Sequence, residues 1–256
     1  MALLTVREVG ATDFATEMME ATFRLGEGDY GTCFLVRREA PDTGVYLVTV
    51  GHAFDDNTDK TAVIALRARK PDGGYERHAY TFPIRQGDKP LWVRHKKEDL
   101  AVLRLPEPLP VPIAALPASA LANESLLKAS AVHLCSPLFV LAYPMGLEAD
   151  ASGLPIARQG IFASPPLLPL ATHPSFLADY NSSKGDSGGP VFIEGANGHP
   201  LVVGIAYEQY YYDDELKGVY QQHRIRNPLS VVKILHAQFI RDTIEAAAKQ
   251  YESRSK

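Results

Sequence analysis

The chain has 256 residues, of which 46% are hydrophobic and 22% charged, ordinary values for a globular protein and enough for one large domain or two small ones. Its 26 basic and 30 acidic residues leave a net charge of -4, which argues against nucleic acid or an anionic membrane as a partner. No stretch approaches the ~20 apolar residues of a membrane span, and two cysteines, Cys33 and Cys135, are too few for a disulfide framework; one bridge between them is open, but they read first as two reduced, buried thiols.

The first ten residues lack the basic start and long apolar run of a secretory signal, so a cytoplasmic protein is expected. Between Asp13 and Thr22 the spacing fits helix and strand equally. Short β-rich runs at 33–37, 46–50, 61–68 and 100–105 follow, separated by turn signals such as Pro71-Asp72-Gly73-Gly74. Strands this short and this frequent predict a barrel or sandwich. Residues 105–117 then carry five prolines in thirteen positions; proline removes ladder donors and stiffens the chain, so 105–120 reads as a linker. It divides the sequence into an N-terminal unit, 1–115, and a C-terminal unit, 116–256. The second unit has a β-rich block over 131–225. Ser230 then precedes Val231, Val232, Ile234, Leu235, Phe239, Ile240 and Ile244, whose spacing predicts an amphipathic helix over 230–250 with Ser230 as N-cap, laid against that block.

Three segments carry chemistry. Gly185-Asp186-Ser187-Gly188-Gly189-Pro190-Val191 puts a serine on a glycine-flanked turn before an apolar strand. Without Cβ atoms beside it, backbone N–H groups can converge on a substrate carbonyl oxygen. Leu47-Val48-Thr49-Val50-Gly51-His52 ends a β-branched strand in a histidine, the only one of the eight placed directly after such a strand. In Glu98-Asp99-Leu100-Ala101-Val102-Leu103 a charged loop ends in an acid where an alternating strand begins, placing Asp99 to accept from an imidazole N–H. Asp55, Asp56 and Asp59 compete for that role by proximity, but their polar run reads as a solvated loop. No metal-ligand spacing is present, and no cofactor is expected.

These motifs, in the order His, Asp, Ser with spacings of 99 − 52 = 47 and 187 − 99 = 88, resemble the chymotrypsin-like serine peptidases. Leu201-Val202-Val203-Gly204-Ile205 and Gly218-Val219-Tyr220 are similar to that family's pocket-side segments. Ala53 replaces the cysteine that secreted members carry after the histidine. Gly31-Thr32-Cys33-Phe34-Leu35-Val36 and Tyr143-Pro144-Met145-Gly146 resemble segments of bacterial trypsin-like peptidase domains. The resemblance implies an all-β fold of two packed six-stranded antiparallel β-barrels with a C-terminal α-helix. It implies a serine endopeptidase acting on protein or peptide substrates through an acyl-enzyme. In that reading Ser187 is the nucleophile, His52 the general base and Asp99 its orienting acid. The N–H groups of Gly185 and Ser187 form the oxyanion hole. Asn181 forms the floor of the specificity pocket, and Tyr207, Glu208, Gln209 and Gly218 form its walls; a neutral or apolar side chain is expected there. A bacterial, intracellular regulatory or defence role with a dedicated substrate is the expected setting.

Two other readings stand beside this one: an inactive β-barrel used for binding, and an esterase using the same triad. The resemblance also implies an activation question. In secreted relatives a new N-terminal amine pairs with the acid before the serine, here Asp186. The only echo of a cut site is Arg7-Glu8-Val9-Gly10, and Glu8 would bring a second carboxylate to Asp186. The uncut chain is therefore expected to be competent, with Asp186 satisfied by another donor or by solvent.

Overall fold

Alternation between two apolar faces organises the first half of the chain. In the computed structural model, which describes residues 13–26, 31–39, 43–55, 57–165, 167–217 and 222–254, the ambiguous stretch at the start is a helix followed by a strand. α1 (Phe14–Glu20) begins where the Asp13 carboxylate accepts from the N–H groups of Ala15 and Thr16, both at 2.9 Å, a side-chain N-cap. Then come β1 (Thr22–Leu25), β2 (Gly31–Arg37), β3 (Val45–Thr49), α2 (His52–Asp55), β4 (Thr61–Arg69) and β5 (Tyr75–Pro83). The short strands β6 (Arg85–Gln86), β7 (Lys89–Pro90), β8 (Val93–Arg94), β9 (Ala101–Arg104) and β10 (Leu116–Pro117) complete this half. The sheet order is β5-β4-β1-β2-β3-β9-β8. β10, inside the proline-rich segment, adds to it in parallel through Leu116 and Val36.

β2 and β3 are buried along almost their whole length because each face meets a different core. Cys33, Leu35, Val45 and Leu47 point into the core of this first sheet. Phe34, Val36, Tyr46 and Val48 point the other way, into the larger core shared with the rest of the molecule. The two-residue period of a strand thus appears as a continuous apolar run in sequence.

The second half contributes α3 (Glu124–Ala129), β11 (Pro137–Ala142), β12 (Ile156–Phe162), β13 (Ser175–Asp179), β14 (Pro190–Glu194), β15 (Pro200–Lys217), β16 (Gln222–His236) and α4 (Ala237–Arg254). Its six strands form a closed barrel, β11-β12-β13-β16-β15-β14. The fold is therefore mostly β, with one closed barrel, one barrel-like sheet and a C-terminal helix.

Two expectations are corrected. The helix expected over 230–250 starts at Ala237, because residues up to His236 are the sixth barrel strand. Val232 and Ile234 are buried, while Val231 and Lys233 are half-buried, which is the period of a strand. β16 pairs on both sides, with β13 through Ser175–Leu235 and with β15 through Gly204–His236, and this pairing overrides a spacing that also suits a helix. Ser230 is not an N-cap but a left-handed residue with φ 58°. α4 packs on the first sheet as well as on the barrel, with Arg38 and Glu245 joined by two hydrogen bonds of 2.9 and 2.7 Å and Arg104 lying over the Tyr251 ring. The second correction concerns cysteine: both thiols are free, but only Cys33 is buried and Cys135 is exposed.

Arg67 of β4 joins the two halves. It is buried, and its guanidinium donates to the Tyr143 hydroxyl at 3.0 Å and to the carbonyls of Gly153, Met19 and Thr22 at 2.7, 2.7 and 2.5 Å. It also lies over the Phe23 ring, 4.5 Å from its centroid.

His236, at the end of β16, is fully buried against the Phe176 ring, with centroids 4.9 Å apart. Burial, reinforced by the charge of His173, pushes its pKa down from 6.5 to about 4. Below pH 6.5 the unfolded chain takes up a proton that the folded chain refuses, so stability falls with pH until about pH 4. Between pH 7 and pH 5 this one group is expected to remove about 2 kcal/mol. Denaturant midpoints measured at both pH values should show a smaller acid loss, by about that amount, in His236→Leu.

Candidate active site

The histidine and the acid reach each other across neighbouring strands. β3 ends at Thr49, and the chain turns through Val50 and Gly51 into α2, which starts at His52. β9, paired beside β3, starts two residues after Asp99. Asp99 receives the His52 backbone N–H on Oδ1 at 3.0 Å, and its Oδ2 lies 2.6 Å from His52 Nδ1. Such a two-point grip fixes ring position as well as ring tilt. Gly51 leaves room for this arrangement: a Cβ at that position would displace the Arg94 guanidinium and lie 2.7 Å from Asp99 Oδ1.

Burial alone would raise the Asp99 pKa. The hydrogen bond and charge of the His52 ring, the His52 N–H and the charge of Arg94 outweigh it and hold the carboxyl below its ordinary value. An ionised Asp99 keeps the proton of a neutral His52 on Nδ1 and leaves Nε2 as an acceptor. Arg94 lies 3.2 Å from Asp99 and 2.5 Å from Asp55. Asp55 is thus drawn to the arginine rather than to the imidazole, Asp59 lines the cleft beyond, and Asp56 lies outside the described residues. The sequence reading missed Arg94, because an arginine in a two-residue strand carries no local mark of its partner.

Ser187 sits on a loop whose shape only glycine permits. Gly185 has φ 100° and Gly188 φ 88°, and a Cβ on either would collide with a backbone carbonyl, that of Tyr143 or of Thr32. β2 grips the loop through Thr32. Its N–H donates to the Ser187 carbonyl at 3.0 Å and its hydroxyl to the Gly185 carbonyl at 2.8 Å. The same hydroxyl accepts from Tyr143 N–H at 3.1 Å, and the Thr32 carbonyl accepts from the Thr49 hydroxyl at 2.9 Å. Among the described residues, the N–H groups of Gly185 and Ser187 have no intramolecular acceptor. His52, Gly185 and Ser187 line one cleft of about 790 Å³.

Asp186 turns away from solvent, with its side chain 5% exposed. Its Oδ2 accepts from Arg158 of β12 at 2.8 Å and from the Ser183 N–H at 3.0 Å. Burial pushes its pKa up, against the pull of Arg158 and of that N–H. The expected other donor is therefore a guanidinium from the barrel wall. Residues 7–10, where the echo of a cut site lies, are outside the described residues.

The expected pocket residues divide. Tyr207, Glu208 and Gln209 line the cleft. Asn181 is exposed and absent from the cleft lining, and its carbonyl accepts from Arg158. Ser182, one residue on, lines the cleft instead; the turn of the backbone between them was not visible in a motif offset. Gly218 lies outside the described residues. Among the described residues, no group of three or more His, Cys, Asp and Glu side chains is placed to hold a metal ion.

The family model described as a trypsin-like peptidase domain matches residues 31–205, more than half of the chain. No curated protein matches it. Among solved structures, one titled as the atomic-resolution structure of HBP, a protein of chymotrypsin fold, superimposes with a TM-score of 0.54. The identity is 14%, over 94% of this chain and 96% of that one, and this likeness concerns the fold alone.

Removing the Arg158 cation leaves a buried carboxylate beside Ser187 without its partner. Arg158→Met is expected to lose about 3 kcal/mol of stability, the scale for breaking a buried pair from one side. Chemical denaturation of the two proteins checks it, and equal midpoints would count against the pairing.

Proposed function

Since the chain belongs to the family of trypsin-like peptidase domains, we propose that it is a serine endopeptidase with Ser187, His52 and Asp99 as its catalytic triad. The observation that carries the reading is the 2.6 Å contact between His52 Nδ1 and Asp99, with His52 lining the cleft that Ser187 also lines. The unpaired N–H groups of Gly185 and Ser187 support it further, because a developing oxyanion needs donors that are not already engaged.

In the proposed reaction Ser187 Oγ adds to the scissile carbonyl carbon as its proton passes to His52 Nε2. The carbonyl oxygen, now negative, takes the N–H groups of Gly185 and Ser187. Asp99 stabilises the imidazolium and keeps its ring oriented. The tetrahedral adduct expels the amine, which receives the proton from His52, and an acyl ester remains on Ser187. Water then attacks that ester with His52 again as base, releasing the acid and restoring the serine.

The Arg158–Asp186 pair supports a further part of the proposal, that the uncut chain is already competent. A cation already on Asp186 takes the place that a newly cut N-terminal amine would fill. We extend the proposal to a dedicated protein substrate, in a regulatory or defence role in a bacterial cytoplasm, because an unrestrained peptidase would damage the cell that holds it.

Two measurements test the reading. Fluorophosphonate is expected to label the parent chain and not Ser187→Ala, which keeps its fold and loses peptide cleavage. Cleavage retained in full by Ser187→Ala would remove the central claim, and failure of the parent to label would leave an inactive barrel. Asp99→Asn is expected to lower kcat by about 10⁴, the magnitude that a wrong-tautomer imidazole carries in triads of this kind. Asp55→Asn should change kcat little, since Asp55 meets Arg94 and not the ring. A reversal of those two effects would reassign the acid.

A further inference from the structure

Ser182 and Gln209 both line the cleft, one on the loop leading to Ser187 and the other on β15. The Gln209 side chain crosses between them. Its Nε2 donates to Ser182 Oγ at 2.5 Å and to the Ser182 carbonyl at 3.1 Å. A backbone carbonyl only accepts, so the amide nitrogen faces the loop and Oε1 faces away. Oε1 is held there by the Tyr211 hydroxyl, which donates to it at 2.7 Å. With both ends pinned, the amide is a crossbar rather than a mobile side chain. Swinging it aside breaks three hydrogen bonds and takes a partner from Ser182, which is buried.

The direction of the reaction makes this crossbar matter. A leaving amine that meets His52 would put the acyl half of a substrate on the other side of Ser187, toward residues 182–184 and 206–209, which line the same cleft. The side chain next to the scissile bond on that half enters the space that the crossbar spans. Two of the acids that line the cleft have cation partners: Asp186 has Arg158 at 2.8 Å and Glu208 has Lys233 at 3.5 Å.

We infer that Gln209 sets a size limit, so that the cleft accepts a small, uncharged residue, glycine, alanine or serine, on the acyl side of the scissile bond. The inference rests on the serine peptidase reading above. Its test uses matched peptide amides that differ only in that residue, Ala, Phe or Lys, with the full chain, Gln209→Gly and Tyr211→Phe. The parent is expected to favour Ala over Phe and over Lys by at least about tenfold in kcat/KM, the scale on which pocket volume discriminates. Gln209→Gly is expected to reduce that preference by about tenfold. Tyr211→Phe, which frees one end of the crossbar, should shift it the same way by less, and decides the matter if the glycine variant does not fold. A parent that prefers Phe or Lys, or a ratio unchanged in the variants, overturns the size limit and leaves the peptidase reading in place. A parent that neither cleaves these amides nor labels with fluorophosphonate overturns both.

Discussion

Thr32 holds the loop of Ser187 against the first sheet by two hydrogen bonds, from its N–H to the Ser187 carbonyl and from its hydroxyl to the Gly185 carbonyl, while the Tyr143 N–H and the Thr49 hydroxyl hold Thr32 itself in place. All of this lies out of water, where each bond is hard to exchange for a solvent one. Thr32 is on β2, and β3, its neighbour, runs on to His52. The loop with the serine and the turn with the histidine are therefore fixed to adjacent strands of one sheet, although they stand far apart in sequence. Gly188 is part of the same constraint, because a side chain there would push the loop off both Thr32 and Thr49.

Buried cations perform the complementary task of joining sheet to barrel. Among the described residues, Arg67 has no carboxylate as a hydrogen-bond partner; four oxygens, three of them backbone carbonyls, take its N–H groups. Because these acceptors come from α1, β1, Tyr143 and the 149–154 turn, the two terminal nitrogens of the guanidinium find all four only when both halves are in place. Arg158 acts more locally, setting Asp186 and with it the turn on which Ser187 sits. Neither arrangement is a large source of net stability, since taking a guanidinium from water offsets much of what its contacts return. Their effect is geometric: few alternative packings satisfy them.

The parts of the site legible in sequence were those with local marks. His52 follows a β-branched strand, Asp99 ends a charged loop where an alternating strand begins, and Ser187 stands on a glycine-flanked turn; the structure brings His52 and Asp99 into contact and places Ser187 on the cleft that His52 lines. Arg94, Arg158 and Arg67 were not legible, because an arginine's partner is decided by tertiary packing and leaves no trace in its neighbours. The end of barrel strand β16, 230–236, was misread as helix for a related reason. Val231, Val232, Ile234 and Leu235 satisfy a helical spacing as well as an alternating one, and only pairing with β13 and β15 decides between them. Cys135 was placed inside by the habit of its residue type, but it stands on an exposed left-handed turn with φ 67°, where the backbone sends it outward.

The two-faced burial of β2 and β3 has a consequence for how the chain comes to be folded. The face bearing Phe34, Val36, Tyr46 and Val48 is covered by elements that come later in the chain, α4 among them, which begins at Ala237. During synthesis the first sheet would have all its strands long before its cover exists, and its outer apolar surface would be open to water and to other chains. Contacts closed over so many residues make folding slow, with a marginal partly built state. Expressed alone, the first half should be insoluble, so the two halves are separate sheets but not separable pieces.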